Sequence, residues 1–202
     1  MMGAPIDFYF DFSSPYAYLA SRMIGPVAEK HGRDVNWHSF MLGAAFKGEN
    51  TGPLTVYPRK GAYSVHDFYR TARKYDIPFQ MPEDFPKITL GASRVFYWLS
   101  NENKELAHKF AVAVFEAYFV NGRDISERQV VLQIAEECGL FAKEIGDVMD
   151  DPEVKEAYKA SVEEIVNTKD IFGAPFFIVD GEPFWGADRV VQVDEWLATG
   201  GW

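Results

Sequence analysis

Three short segments hold the residue types that could do chemistry. Asp11-Phe12-Ser13-Ser14-Pro15-Tyr16 puts a carboxylate and two hydroxyls directly before a proline. Gly173-Ala174-Pro175-Phe176 precedes an apolar run, and Trp185-Gly186-Ala187-Asp188-Arg189 sets an acid beside a base. Serine before proline is a helix start: the hydroxyl accepts from the first free N–H groups, and proline takes the first helical position, where no donor is needed. Such a helix end carries partial positive charge and free N–H groups, which favour a thiolate or another anion. The single cysteine, Cys138, lies between Ile134 and Leu140 and reads as a buried apolar filler. One cysteine excludes an intrachain disulfide framework and a Cys-rich zinc site. His31, His38, His66 and His108 show no metal-ligand spacing, so no metal site is expected. Walker, dinucleotide and Gly-x-Ser-x-Gly patterns are absent.

These segments need elements to position them. Residues 6–12 and 35–40 read as strands, with a helix over 16–31 between them that Gly32 ends. This β-α-β order is a right-handed crossover in a parallel pair. Residues 43–58, rich in glycine and proline, read as a long loop. Helices are expected over 63–75, 90–100, 104–120, 127–138 and 152–168. Strand pattern returns at 176–179, and Asp180-Gly181 marks a hairpin turn into a return strand at 183–185. Pro183 suits an edge strand, because it cannot donate to a ladder. A helix over 187–197 closes the chain. The two ends thus form one sheet, residues 1–45 and 165–202, with an all-helical insertion over 46–164. In that sheet the three chemical segments converge near the start of the first helix.

This arrangement resembles the α/β thioredoxin-like fold with a helical insertion, as in the DsbA group. It is most similar to the 2-hydroxychromene-2-carboxylate isomerase family and its relatives, the kappa-class glutathione transferases. The likeness covers essentially the whole chain. Its motifs are Phe10-Asp-Phe-Ser-Ser-Pro-Tyr-Ala-Tyr-Leu19, Asn50-Thr-Gly-Pro53, Pro58-Arg-Lys60-Gly-x-Tyr63, Gly173-Ala-Pro-Phe176 and Trp185-Gly-x-Asp188-Arg189. The one departure is Ser13, where that family often has an apolar residue. Thioredoxin-fold redox enzymes carry Cys-x-x-Cys at this helix start, whereas this chain has Ser14-Pro-Tyr-Ala17. Without a thiol there is no disulfide to exchange, and a cofactor must bring one. The resemblance implies glutathione.

On residue type alone, Ser14 is an N-cap, Asp188 a first-turn acid, Arg189 and Lys60 solvated charges, and Trp185 packing. The resemblance implies more: Ser14 as the catalytic hydroxyl, and Asn50, Pro53, Lys60, Ala174, Pro175, Asp188 and Arg189 around glutathione. Pro175 is then a cis-proline, and Ala174 pairs with the cysteinyl unit like an added strand. The implied reaction interconverts 2-hydroxychromene-2-carboxylate and trans-o-hydroxybenzylidenepyruvate, a step in aromatic catabolism. The competing readings are a kappa-like transferase and a non-catalytic thiol-binding module.

Composition sets the outer limits. Of 202 residues, 48% are apolar and 16% aromatic, enough for a buried core. Net charge is −10, against a free-standing nucleic-acid binder or an anionic-membrane binder. The acid excess lies in residues 124–202, at −12; residues 1–123 carry +2. No apolar run is long enough to span a bilayer, and the N-terminus has no leader pattern. A soluble cytoplasmic enzyme is expected, with glutathione and a small aromatic carboxylate as its partners. A homodimer is expected from the resemblance and from the aromatics Phe68, Tyr69, Phe96, Tyr97 and Trp98.

Overall fold

The structure is a computed structural model and describes residues 3–49 and 51–202. Strand β1 (Ile6–Phe10) leads into helix α1 (Pro15–Lys30) and then strand β2 (Val35–Ser39). β1 and β2 pair in parallel from Ile6↔Val35 to Phe10↔Ser39. Much later come β3 (Phe176–Val179) and β4 (Glu182–Trp185), each antiparallel to its inner neighbour. Strand order is β2-β1-β3-β4, so both ends of the chain build one sheet. The β3–β4 turn is Asp180-Gly181, both at positive φ (53° and 91°), which matches a hairpin turn to the twist of its strands. Pro183 lies on β4, the edge strand, as expected.

Alternation along β1 gives the sheet two dissimilar faces. Ile6, Phe8 and Phe10 are fully buried against one helical layer, where Phe10 meets Phe96 and Phe115. Tyr9 joins Phe40, Tyr158, Ile165 and Phe176 in a second cluster on the opposite face. Each buried phenyl contributes on the order of 2–3 kcal/mol by leaving water, so β1 anchors the molecule from its centre.

Between β2 and β3 the chain is helical: α2 (Leu42–Glu49), α3 (Pro58–Lys74), α4 (Leu90–Glu102), α5 (Lys104–Phe119), α6 (Arg128–Glu137), α7 (Ala142–Asp150) and α8 (Pro152–Asn167). A 3-10 turn at Ala187–Arg189 leads into α9 (Val190–Thr199).

Several sequence expectations need correction. Residues 43–58 are not one loop: α2 and a 3-10 turn at Leu54–Val56 occupy much of it. Burial of Ala45 in the second cluster outweighs the low helix preference of the glycines. α3 begins at Pro58, which takes the first helical position, not at residue 63. The sequence pattern gives no helix at α7, since its nine residues carry three acids. The aromatics taken as an interface hint are partly accounted for within the chain. Phe68 and Phe96 are buried, and Tyr69 and Tyr97 pack on Phe79 and Tyr158.

Candidate active site

The site forms where β1 gives way to α1. Ser14 is the N-cap of α1, with Pro15 at the first helical position. Its hydroxyl oxygen accepts from the Ala17 N–H at 3.1 Å and donates to the Ala174 carbonyl at 3.1 Å. One side chain therefore closes the helix end and joins it to a segment 160 residues away. The Ala174–Pro175 peptide is cis. The Pro175 carbonyl accepts from the Gly186 N–H at 3.0 Å, which ties the third chemical segment to the second. The convergence expected from topology is present for Ser14, Ala174, Pro175 and the Gly186–Arg189 turn. The first turn of α1 keeps one main-chain donor, the Tyr16 N–H, without a partner among the described residues.

Asp11 fixes this turn. It is 2% exposed. One carboxylate oxygen accepts from Ser13 N–H (2.8 Å), Ser13 Oγ (2.8 Å) and Thr89 Oγ1 (3.2 Å); the other accepts from Leu42 N–H (2.7 Å). Its own carbonyl takes the Ser14 N–H at 3.0 Å. Burial pushes the Asp11 carboxyl up, and these donors pull the other way. The carboxylate thus joins the turn that presents Ser14 to the first residues of α2 and α4. On sequence alone Asp11 stands within a motif and has no assigned role. Its signal was an apolar strand ending in Asp-x-Ser-Ser, the pattern of a side chain that bonds main chain two residues on.

Tyr16, in the first turn of α1, was also missed. Its hydroxyl donates to Asp67 Oδ2 of α3 at 2.7 Å, and its ring meets Phe68 edge-on at 4.6 Å. Burial and the Asp67 bond push its hydroxyl well above the usual phenol value, and the Asp188 charge adds to this. Asp188 thus lies within electrostatic reach of the α1 start. Its side chain is exposed and pairs with Arg189 at 3.5 Å. Gly186 has φ 116°, and a Cβ there would lie 2.5 Å from Asp188 Oδ1, so only glycine permits this turn.

Lys60 falls inside a helix, ahead of the helix start expected at residue 63. It lies in the first turn of α3, exposed, with its ammonium 5.5 Å above the Tyr57 ring. It precedes Asp67 by two helical turns, about 10 Å along one face, and Asp67 is what ties α3 to α1. Pro53 precedes the 3-10 turn and is half-buried. Asn50 lies outside the described residues. Beside the cis-proline segment, Trp185 is 56% exposed and meets Phe172 edge-on at 4.9 Å. Its indole lies over Gly173, where a Cβ would approach Nε1 to 2.3 Å. The pair offers an apolar surface next to Ala174.

Cys138 is buried, and desolvation pushes its thiol up, away from the reactive range. Among the described residues no three His, Cys, Asp or Glu side chains group as metal ligands, and no helix is long and apolar enough to cross a membrane.

The 2-hydroxychromene-2-carboxylate isomerase of Sphingobium xenophagum is 27% identical over 199 residues, covering 97% of this chain and 99% of that protein. Glutathione S-transferase kappa 1 of Caenorhabditis elegans is 27% identical over 197 residues, covering 91% and 86%. A solved 2-hydroxychromene-2-carboxylate isomerase superposes with a TM-score of 0.87 at 23% identity, over 97% of this chain and 95% of that one, a likeness of fold. Residues 5–198 match the DSBA-like thioredoxin domain. That span takes in the whole sheet, every helix between its halves and all three converging segments, and the chain belongs to the DSBA-like thioredoxin domain family.

Proposed function

We propose that the protein is a glutathione-dependent isomerase that interconverts 2-hydroxychromene-2-carboxylate and trans-o-hydroxybenzylidenepyruvate. The observation that carries this reading is the Ser14 hydroxyl at the α1 N-terminus, bonded to the carbonyl before a cis-proline, with no cysteine in the turn. The isomerases among its relatives support the reaction class, and the transferases support the cofactor.

The residues fit the cofactor on three counts. The α1 start offers a hydroxyl and the free Tyr16 N–H to an anionic sulfur. Ala174 is half-buried and precedes the cis-proline, and its main chain would pair with the cysteinyl unit like an added strand. Asp188 is an exposed acid for an ammonium, beside Arg189 for a carboxylate. When bound, glutathione would supply a thiol whose anion can add reversibly to a conjugated carbon and so free the former double bond to rotate. Ser14 would donate its hydroxyl proton to the sulfur and so favour the thiolate, helped by the helix end. Lys60 and Arg59, exposed in the first turn of α3, attract the substrate carboxylate to an acidic protein. Trp185 and Phe172 hold the flat, apolar part of the substrate.

Incubation with glutathione and 2-hydroxychromene-2-carboxylate tests this reading. Turnover with glutathione recovered in full is the expected result. Stoichiometric consumption of glutathione would make the protein a kappa-like transferase, and retention on immobilised glutathione without turnover would make it a binding module. The reading includes a cytoplasmic homodimer. Exposed Leu54, Val56, Tyr57 and Tyr63 around the start of α3 support an interface there.

A further inference from the structure

β2 is an edge strand, yet its open edge is walled. In the parallel β1–β2 ladder, Asn36 and His38 turn their main-chain groups toward β1, so those of Val35, Trp37 and Ser39 face outward. Outward of them lies a cavity of about 310 Å³, closed by α4 and α5 on one side and α8 on the other. That volume suits a small ligand. β1 stands between it and β3, which Ala174 precedes.

The lining is chemically one-sided. Lys104 is its only fixed charge, and no carboxylate lines it, in a chain of net charge −10. Glu102 and Glu105, its neighbours in sequence, do not line it, and Asp7 behind it is bonded to His38 at 2.8 Å. The Trp37 and Ser39 N–H groups and the Ser161 hydroxyl are further donors. Flat surfaces come from Trp37, which His108 meets edge-on at 4.8 Å, and from Tyr97. Burial holds the His108 imidazole neutral at neutral pH. At the inner end, the Tyr158 and Ser93 hydroxyls lie beside Ser39, which lines the cavity. Tyr158 and Ser93 are 1% and 0% exposed, and their hydroxyls lie within reach of each other behind the lining.

We infer that the cavity along the open edge of β2 is a second binding site, for a small planar carboxylate. Lys104 pairs with the carboxylate, the outward N–H groups of β2 and the Ser161 hydroxyl donate to the ligand, and Trp37 and Tyr97 flank its flat body.

The test is a titration of 15N-labelled protein with benzoate, and with benzyl alcohol as its uncharged counterpart at equal ionic strength. Benzoate should give saturable shifts at the Trp37 and Ser39 amides and the Trp37 indole, independent of any at Ser14, Ala174 and Gly186. Lys104→Met, an exposed change that leaves the core intact, should weaken benzoate roughly tenfold and leave benzyl alcohol unaffected. The inference is overturned by shifts confined to the Ser14 turn, by no saturation, or by benzyl alcohol binding as tightly as benzoate. It is overturned equally if acetyl-Val-Thr-Val-amide moves the β2 amides at lower concentration than benzoate, since the edge would then take a strand.

Discussion

Replacing Ser14 with alanine separates its two roles. The hydroxyl makes two bonds, one from Ala17 N–H and one to the Ala174 carbonyl. Loss of an N-cap costs about 1 kcal/mol, and loss of the Ala174 bond costs about 1 kcal/mol more. Against a total stability on the order of 5–15 kcal/mol, Ser14→Ala should fold, with Tm lowered by roughly 4–8 °C. Turnover should fall much further. A preorganised donor to a developing or resident anion contributes about 3 kcal/mol, roughly a hundredfold in rate. Ser14→Gly sharpens the comparison, because glycine at an N-cap costs only about a few tenths of a kcal/mol. It should melt higher than Ser14→Ala and yet be just as slow. Isomerisation would be followed by absorbance at constant glutathione across pH 6–9. The residual activity of both variants should climb toward an unperturbed thiol pKa of about 8.5. Near-wild-type turnover at neutral pH in either variant would remove Ser14 from the chemistry. Ser13→Ala loses only a 2.8 Å bond to Asp11 and keeps its N–H bond to the same carboxylate, so it should matter much less. The reverse ranking would show that the catalytic hydroxyl is Ser13.

Asp188→Asn should raise the glutathione half-saturation concentration far more than it changes the rate at saturation, and an unchanged value would place Asp188 outside the site. Lys60→Met should weaken substrate binding and abolish the salt dependence that the wild type shows; a salt-insensitive wild type would exclude steering by this lysine. Arg33 donates to both carboxylate oxygens of Asp180 at 2.9 and 2.6 Å, and those bonds hold its carboxyl below the ordinary value. That stabilisation is present above a pH of about 4, the unfolded value, and is lost as pH falls through the lower folded value. Asp180→Asn should therefore be less stable than wild type at pH 6 and equally stable near pH 2, and a gap that persists in acid would refute the linkage. Sedimentation should give twice 22.9 kDa, and a monomer at micromolar concentration would refute the dimer while leaving the Ser14 argument intact.

What the sequence made legible was local. Ser14-Pro15 announces a helix start without reference to the rest of the chain, and Asp180-Gly181 announces its hairpin in the same way. Alternation in β1 and period in α5 are likewise properties of single segments. The errors fall where tertiary contacts outweigh local preference. α2 exists because Ala45 is buried under Phe40 and Tyr158, not because its glycines favour a helix. α7 holds four apolar or small residues, Ile145, Gly146, Val148 and Met149, inside an acidic surface helix. Asp11 shows the same limit at the site. A charged residue at a strand end looks like surface until its four donors are known, and they come from Ser13, Leu42 and Thr89, in three parts of the chain. An isolated buried carboxylate would be strongly unfavourable; this one is tolerable because every partner is in place at once. The turn that presents Ser14 is therefore only as well ordered as the starts of α2 and α4. Helices α2 and α4 are thus part of the framework of the candidate site, joined to it through one side chain whose sequence neighbours name only the nearest of its partners.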